Sequence, residues 1–214
     1  MQRRLASLGE MSAVLAHEIR NPLASLKGNA QLLAQMIAKA LPDQDKPRAK
    51  AERVVDEAVR LEKLTNDLLH FVRTGAIQRT HVDPGALVRE AAQAVAGEVV
   101  VDTTGAPATW SLDEGRLREV VVNLVDNAVD AGAPVEVSVR RAGRTLVLEV
   151  ADRGPGVPEA DRERIFEPFF TGKTSGTGLG LALARRVTEL HGGRLSVHTS
   201  PHGGALFRAE IPES

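Results

Sequence analysis

A seven-residue repeat of apolar side chains runs through the first forty residues and constrains the fold more than any other feature. Two sets of positions, three residues apart, carry the repeat: Leu5, Ser12, Ile19, Leu26 and Leu33, and then Leu8, Leu15, Pro22, Asn29 and Met36. This spacing predicts one helix of roughly 36 residues, about 54 Å long. Because a helix with an apolar stripe must bury it against another element, the repeat also predicts a helical partner.

A second helix is predicted after residues 41–47, whose two prolines are expected to end the first helix and turn the chain. It runs to about Arg73, and its apolar stripe consists of Val54, Ala58, Leu61, Leu64, Leu68 and Phe71. In a lone hairpin each stripe has one partner along its length. We therefore expect two copies of the chain to pair as a homodimer with a four-helix bundle.

The pattern changes after Thr74, so we predict a helical domain over 1–74, a linker over 75–83 and a second domain over 84–214. Helices are predicted over Pro84–Ala96, Glu114–Ala131 and Leu179–His191. Apolar and polar residues alternate over 135–139, 146–150, 195–199 and 205–211, as strands require. The second domain is predicted as an α+β sandwich, a mixed sheet with antiparallel pairs and helices on one face.

Composition excludes several classes of protein. The 27 basic and 28 acidic residues leave a net charge of −1, so no whole-chain field favours nucleic acid or a membrane surface. The absence of cysteine excludes disulfides, thiolate metal sites and cysteine nucleophiles. No apolar run approaches the ~20 residues that cross a bilayer, and no signal-peptide core follows Met1. We expect a cytoplasmic protein, or the cytoplasmic part of a longer sensor protein, with no membrane contact by this segment.

His17 takes the outward position of the seven-residue repeat, and Asn21 lies one turn later on the same face. Glu18 stands beside the histidine. Pro22 removes a backbone donor and is expected to kink the helix just after His17. Position alone also fits an ordinary solvated histidine, but a kink in a helix that forms a dimer indicates a functional turn.

A polar stripe interrupts the otherwise apolar helix predicted over Glu114–Ala131. It consists of Glu119, Asn123, Asn127 and Asp130, at spacings of four, four and three residues. It could be the solvent-facing edge of the helix. Two interior asparagines are poor helix formers, however, and a ligand rich in oxygen together with a metal ion would satisfy them.

Two glycine-rich segments follow. The first, Asp152-Arg-Gly154-Pro-Gly156, comes after a predicted strand and is by itself also typical of a tight turn. The second, Gly176-Thr177-Gly178-Leu179-Gly180, opens a helix. Alternate glycines there let backbone amides approach a phosphate at the positive end of the helix, although a flexible loop is the alternative. The spacing matches neither the dinucleotide-binding nor the Walker fingerprint.

These motifs together resemble a known family. His17-Glu18-Ile19-Arg20-Asn21-Pro22-Leu23 resembles the phosphoacceptor motif of sensor histidine kinases. Four later elements resemble, in order, the N, G1, F and G2 boxes of the kinase ATP-binding domain: Asn123 with Asn127, Asp152 with its glycines, Phe166 with Phe169, and the glycine loop. That domain has the GHKL (Bergerat) fold, shared with gyrase, MutL proteins and the ninety-kilodalton heat-shock chaperone.

The resemblance implies roles for the phosphoacceptor residues. A neutral His17 imidazole attacks the γ-phosphate of ATP, while Glu18 hydrogen-bonds the other ring nitrogen or takes up its proton. For Asn21, the chemistry of the side chain is the argument: its carboxamide has a donor and an acceptor and is expected to hold a water molecule for dephosphorylation of a partner regulator. The alternative is that Asn21 only adjusts the backbone before Pro22. The phosphoryl group passes from His17 to an aspartate in the receiver domain of a response regulator.

The resemblance also implies an ATP site with Mg²⁺. Asp152 accepts a hydrogen bond from the adenine amino group, and Gly154 and Gly156 let the backbone pass close to the base. Asn127 coordinates Mg²⁺, with Asn123 beside it. The remaining contacts are implied for a lid over 153–177, with Lys173 at the γ-phosphate, and for the loop residues Gly176, Thr177, Gly178, Leu179 and Gly180. Ala205 replaces a frequent threonine, so no hydroxyl contact is expected there.

The chain is thus identified as a homodimeric protein-histidine kinase core of two-component signalling, with phosphatase activity toward its regulator expected as well. The alternative enzyme is an ATP hydrolase or clamp of the same superfamily. Those proteins place a water-activating glutamate four residues before the metal-binding asparagine, where this chain has Asn123. A third alternative is a phosphotransfer or scaffolding dimer with an inactive nucleotide site, which no residue specifically favours.

Overall fold

The computed structural model describes residues 23–37, 39–40, 45–72, 76–173 and 177–213. The chain forms two compact units. The first comprises Met1–Gly75 with Lys173–Thr177, and the second comprises Ala76–Gly172 with Gly178–Ser214.

The described part of the first unit contains two helices. Helix α1 includes the described residues 23–37 and 39–40, and helix α2 spans Asp45–Val72. The described part of α1 therefore reaches the predicted end of the first helix, just before residue 41. The predicted turn over 41–47 is too long, since α2 already begins at Asp45. Pro47 fits the first turn of α2, where a backbone N–H has no partner within the helix.

Small residues and one ion pair lie on the inner faces of these helices. Ala30, Ala51 and Ala58 are buried. Between the helices, Lys27 Nζ donates to Glu62 Oε2 over 2.7 Å. The large residues of the predicted stripes face outward within the single chain, and they include Leu26, Leu33, Met36, Val54, Leu61 and Leu68. Among the described side chains of the hairpin, the buried residues are small, most of the large apolar residues are exposed, and Leu64 is half-buried.

The second unit is built on a mixed five-stranded sheet. Its chain carries β1 (Thr80–Val82), β2 (Val99–Asp102), β3 (Trp110–Leu112), β4 (Val135–Ala142), β5 (Thr145–Ala151), β6 (Arg194–Thr199) and β7 (Ala205–Pro212). The order in the large sheet is β2-β4-β5-β7-β6, in which β2 and β4 are parallel and the other pairs antiparallel. This confirms the predicted mixed sheet with antiparallel pairs.

Three helices accompany the sheet: α3 (Pro84–Gln93), α4 (Glu114–Ala131) and α5 (Gly180–Leu190). Aspartates at the N-caps set the starts of two of them. Asp83 accepts from Ala86 N, and Asp113 accepts from Arg116 N, which satisfies N–H groups that lack a partner in the first turn. Helix α4 has the predicted bounds, whereas α3 ends three residues before the predicted Ala96.

The predicted linker over 75–83 is wrong in its second half, because β1 lies there. This strand pairs antiparallel with β3, with Val82 opposite Trp110. Gln78 N also donates to Asp113 Oδ2 over 2.8 Å. Strands β1, β2 and β3 have three or four residues each, too few for an alternating pattern to be recognised in the sequence.

A single hydrophobic core lies between the sheet and the helices. It joins side chains of α3, α4 and α5 to the inward residues of the strands, and it includes Leu124, Val137, Leu148, Phe207 and Ala209. Trp110, the one tryptophan of the sequence, is buried at its margin. The second unit therefore closes a core of its own.

His191 links the end of α5 to the start of α4 through hydrogen bonds of its imidazole ring. Its Nε2 accepts from Asp113 N over 3.0 Å, and its Nδ1 lies 2.8 Å from Val187 O, so the proton is on Nδ1. Burial lowers the pKa of His191 below its ordinary value of 6.5. This histidine is a neutral structural residue rather than part of the candidate site.

Candidate functional site

The predicted polar stripe of α4 meets the start of α5. Asn127 Nδ2 donates to Asn123 O over 2.9 Å, and both asparagines are half-buried. Gly180 lies so close that a Cβ there would stand 2.9 Å from Asn123 Oδ1. The structure thus brings together two of the predicted motifs, the asparagine pair and the last glycine of the loop. The positive N-terminal end of α5 lies beside amide oxygens at this point.

Asp152 is the centre of a second cluster. Its side chain is buried, with 2% of its surface exposed. Asp152 Oδ1 accepts from Gly154 N over 2.9 Å and from Ala205 N over 3.0 Å, while Asp152 N donates to Ala205 O over 2.9 Å. These bonds fix the carboxylate between the ends of β5 and β7. Both side-chain bonds are made by Oδ1, which leaves Oδ2 for a donor on a ligand.

Glycines allow close backbone approach around this carboxylate. A methyl group at Gly204 would overlap the backbone and side-chain oxygens of Asp152. A Cβ at Gly154 would lie 2.6 Å from Ala131 O, at the end of α4. Gly156 has a φ of +75°, which other residues rarely adopt. Two loops, 152–156 and 200–204, therefore form one floor with the C-terminal end of α4.

The segment predicted as a lid over 153–177 is only partly separate from the body of the unit. Ile165 and Phe166 lie in the hydrophobic core, which corrects the predicted start of the lid. Phe169 is exposed and has a φ of 68°. Its N–H donates to Gly178 O over 2.9 Å, and Gly178 itself has a φ of +68°. The hydrogen bond between Phe169 and Gly178 joins the two ends of the segment that lies between them.

Two residues that are predicted to contact phosphate belong to the first compact unit rather than to the second. Lys173 and Thr177 are grouped with the hairpin, and Thr177 Oγ1 donates to Asp67 Oδ2 over 2.7 Å within that unit. Leu179 is buried, and Leu179 O accepts from Leu183 N over 2.8 Å at the start of α5. The structure does not group Lys173 or Thr177 with Asn127, and their phosphate contacts stay predictions.

The phosphoacceptor turn lies outside the described residues. His17, Glu18 and Asn21 belong to it, and Gly176 of the glycine loop is likewise outside. Their predicted roles therefore rest on the sequence motif.

A magnesium ion fits the donors at Asn127. Asn127 Nδ2 donates to the helix backbone, so Oδ1 is the atom of this side chain that could act as a metal ligand. Oxygen donors suit Mg²⁺, which is usually held by one or two protein ligands together with substrate phosphates. Across the described residues, no group of three or more His, Asp or Glu side chains forms a metal cage.

Sequence reasoning missed two contributors to the floor. Gly204 must be glycine because of its approach to Asp152, and Ala205 contributes its backbone N–H rather than a side chain. The adjacent glycines 203 and 204 between two alternating patterns were the available signal. Such a pair predicts a turn, but only the fold shows that the turn faces Asp152.

Comparison with protein families decides between the alternatives. The His Kinase A (phospho-acceptor) domain model matches residues 7–77, and the model of the histidine kinase-, DNA gyrase B-, and HSP90-like ATPase matches residues 112–214. The chain belongs to the sensor histidine kinase family. The described part of this kinase contains no helix long and apolar enough to span a membrane.

Individual relatives agree with this assignment. The sensor histidine kinase ZraS of Klebsiella oxytoca is 35% identical over 99% of this chain and 47% of its own length. The structure of full-length ShkA in complex with AMPPNP has a TM-score of 0.76 and 31% identity, over 96% of this chain and 46% of ShkA. Histidine kinase ThkA in complex with the response regulator protein TrrA has a TM-score of 0.68 and 27% identity, over 100% of this chain and 64% of ThkA. This kinase spans about half the length of ZraS.

Proposed function

We propose that this kinase transfers the γ-phosphoryl group of ATP to His17 and then to an aspartate of a response regulator. The observation that carries the proposal is the buried Asp152 carboxylate, held through Oδ1 with Oδ2 left for a ligand. Further support comes from ShkA, whose structure was solved with AMPPNP, and from ThkA, solved with a response regulator. In this proposal, the phosphoacceptor domain covers residues 1–74. The ATP-binding domain includes β1 and extends to residue 214.

Asp152 selects adenine in this proposal. A carboxylate oxygen accepts a hydrogen bond from the exocyclic amine of adenine, whereas guanine has a carbonyl oxygen at the same ring position. Two oxygens facing each other repel, and guanine leaves Asp152 Oδ2 without the hydrogen bond that the adenine amine would donate. We therefore expect ATP to bind more tightly than GTP.

The phosphates are proposed to lie near the start of α5 and the Asn127 amide. Backbone N–H groups at a helix N-terminus donate to phosphate oxygens, and the close approach of Gly180 to Asn123 leaves no side chain in the way. Mg²⁺, when bound, neutralises charge that develops on the phosphates during transfer. Asn127 holds the metal, Asn123 lies beside it, and Lys173 contacts the γ-phosphate.

The chemical step joins a histidine nitrogen of His17 to the γ-phosphorus. The bond between that phosphorus and the β–γ bridging oxygen breaks, and ADP leaves with the electron pair. Glu18 holds the other ring nitrogen or accepts its proton, which keeps the imidazole nucleophilic. A regulator aspartate then takes the phosphoryl group, and Asn21 positions a water molecule when the kinase dephosphorylates that regulator.

The hairpin is proposed to dimerise. Leu26 and Leu33 are seven residues apart on α1 and about half exposed, with 49% and 52% of their surfaces accessible. On α2, Val54, Leu61 and Leu68 recur at the same spacing and are also exposed. A second hairpin with the same stripes would cover both rows in a four-helix bundle.

One labelling experiment tests the enzyme assignment. The full chain is incubated with γ-labelled ATP and Mg²⁺, and the labelled protein is then treated with acid or with alkali. Phosphohistidine is lost in acid and survives alkali, so we expect an acid-labile label that is absent from His17→Gln. An acid-stable label, or retention of the label by His17→Gln, would contradict the proposal.

A further inference from the structure

Glu136 lies at the end of the sheet to which the loops 152–156 and 200–204 of the floor are attached. It lies on the outer face of β4, opposite Ala151 of β5, and Ala151 in turn is opposite Leu206 of β7. The loop 152–156 begins directly after Ala151, and the loop 200–204 ends just before β7. One side chain in this row can therefore reach both loops.

Both loops send a charged or ionisable side chain to the same oxygen of Glu136. Arg153 Nη2 lies 3.2 Å from Glu136 Oε1, and His202 Nε2 lies 3.4 Å from it. Arg153 directly follows Asp152, and His202 precedes Gly204 by two residues. The carboxylate thus bridges the two loops on the face of the sheet away from the core, while the bonds of Asp152 to Ala205 join them from within.

We propose that Glu136 is a positioning residue for nucleotide binding, which holds the loops 152–156 and 200–204 at the spacing that aims Asp152 at adenine. This inference rests on the proposed ATP-binding function. Glu136 itself does not touch the nucleotide in this account. It acts on affinity because a small change in loop spacing moves the carboxylate out of hydrogen-bond range of the base.

The expected effect is moderate. The three side chains are partly exposed, and ion pairs of this kind are weak one at a time because water and salt screen them. Removal of the Glu136 carboxylate breaks two contacts at once, and both lie next to the floor. We therefore expect ATP affinity to fall about three- to ten-fold.

The same sheet face offers a matched control. Glu149 of β5 lies one row further from the loops, opposite Ser138 and Arg208. Its Oε1 lies 2.6 Å from Arg208 Nε. Glu149→Gln removes an ion pair of the same type and the same face, but that pair touches neither loop.

The test compares Glu136→Gln, Glu149→Gln and the unchanged full chain. A fluorescent ATP analogue gives the dissociation constant, competition with ATP and GTP gives selectivity, and autophosphorylation gives KM and kcat. Trp110 fluorescence during urea unfolding reports whether each variant is folded. For Glu136→Gln we expect a three- to ten-fold higher KM for ATP, a kcat within about two-fold, and a smaller preference for ATP over GTP. Glu149→Gln should leave all three unchanged.

A second variant, His202→Ala, keeps the test valid if Glu136→Gln unfolds, because His202 is in an exposed loop. It should raise the KM for ATP in the same direction but by less. An unchanged KM in Glu136→Gln, or an equal rise in Glu149→Gln, overturns the positioning role while ATP binding by the unchanged chain stands. Failure of the unchanged chain to bind ATP overturns the proposed function itself.

Discussion

The two units of this kinase bury their apolar residues in different ways. Within the described part of the hairpin, the buried residues are alanines, and large side chains such as Leu33, Met36 and Leu61 are exposed. In the second unit, the large side chains form a closed core, and among its described residues only Val100 and Phe169 are large, apolar and exposed. The difference indicates that the second unit closes its core within a single chain, and it supports the proposal that the hairpin pairs with a second copy.

In the proposed function, this division separates nucleotide binding from phosphoacceptance. The core of the second unit lies within one chain, so we expect this unit to keep its fold without a second copy. We expect the hairpin, which would carry the phosphoacceptor, to depend on the second copy. The predictions below test the two sides of this comparison, from the largest expected effect to the smallest.

The first prediction contrasts a core leucine with a hairpin leucine. Leu124 is fully buried in α4, so Leu124→Ala should lower the unfolding free energy of the second unit by about 2–5 kcal/mol, through lost burial and a cavity. Urea unfolding followed by Trp110 fluorescence measures it, since the sequence has a single tryptophan. Leu33→Ala is the control and should leave this transition in place. A similar loss in both variants would show that the two units share one core.

The second prediction concerns the exposed stripe of α2. Leu61→Asp puts a charge into the proposed bundle, where its desolvation is unfavourable, and should raise the dimer dissociation constant at least about tenfold. Sedimentation over a concentration series measures this. Val100→Asp, at an exposed apolar residue of the second unit, should leave the oligomeric state unchanged. If Leu61→Asp dimerises like the unchanged chain, the stripe is not the interface.

The third prediction is a pH dependence confined to the second unit. Because the pKa of His191 is lowered in the folded state, the unfolded chain binds the proton more readily. The stabilisation is complete above pH 6.5 and is lost as the pH falls below it, by at most about 1.4 kcal/mol per pH unit. Trp110 unfolding curves at several pH values measure the slope. His191→Gln should be less stable but should lack this component, and an unchanged slope would rule out His191 as its source.

The smallest expected effect is a gain in the hairpin. Nothing lies within 4 Å of a Cβ added at Gly28 in α1, so Gly28→Ala should stabilise the helix by about 0.5–1 kcal/mol. Circular dichroism during thermal unfolding measures it. Gly204→Ala, which would overlap Asp152, is the opposite case and should weaken ATP binding strongly. A loss of stability in Gly28→Ala would mean that α1 is more closely packed than a single chain indicates.

The sequence predicts long periodic elements well and short ones poorly. Helix α4 was predicted with its observed bounds, because a long apolar stripe marks it. Strands β1, β2 and β3 were not, since their pairing depends on residues far along the chain. The inner face of the hairpin was predicted only in part: Ala58 belongs to the predicted stripe and is buried, whereas the buried Ala30 and Ala51 lie outside both predicted stripes.

The candidate site follows the same rule. Asp152, Asn123 and Gly180 could be found because each belongs to a local motif, and two of them do meet in the fold. Gly204 and Glu136 could not, because their importance comes from neighbours across the sheet. The local sequence motifs contain the residues proposed to bind the nucleotide. The register of the strands determines which loops hold those residues in place.

The most direct test of the central claim separates the two units. Polypeptides covering residues 1–75 and 76–214 are prepared separately, incubated with γ-labelled ATP and Mg²⁺ alone or mixed, and resolved by gel. We expect 76–214 to be a monomer that binds ATP without becoming labelled, and 1–75 to be a dimer that is labelled only in the mixture, and not as His17→Gln. Label on 76–214, or on the His17→Gln fragment, would contradict the division of ATP binding and phosphoacceptance between the units.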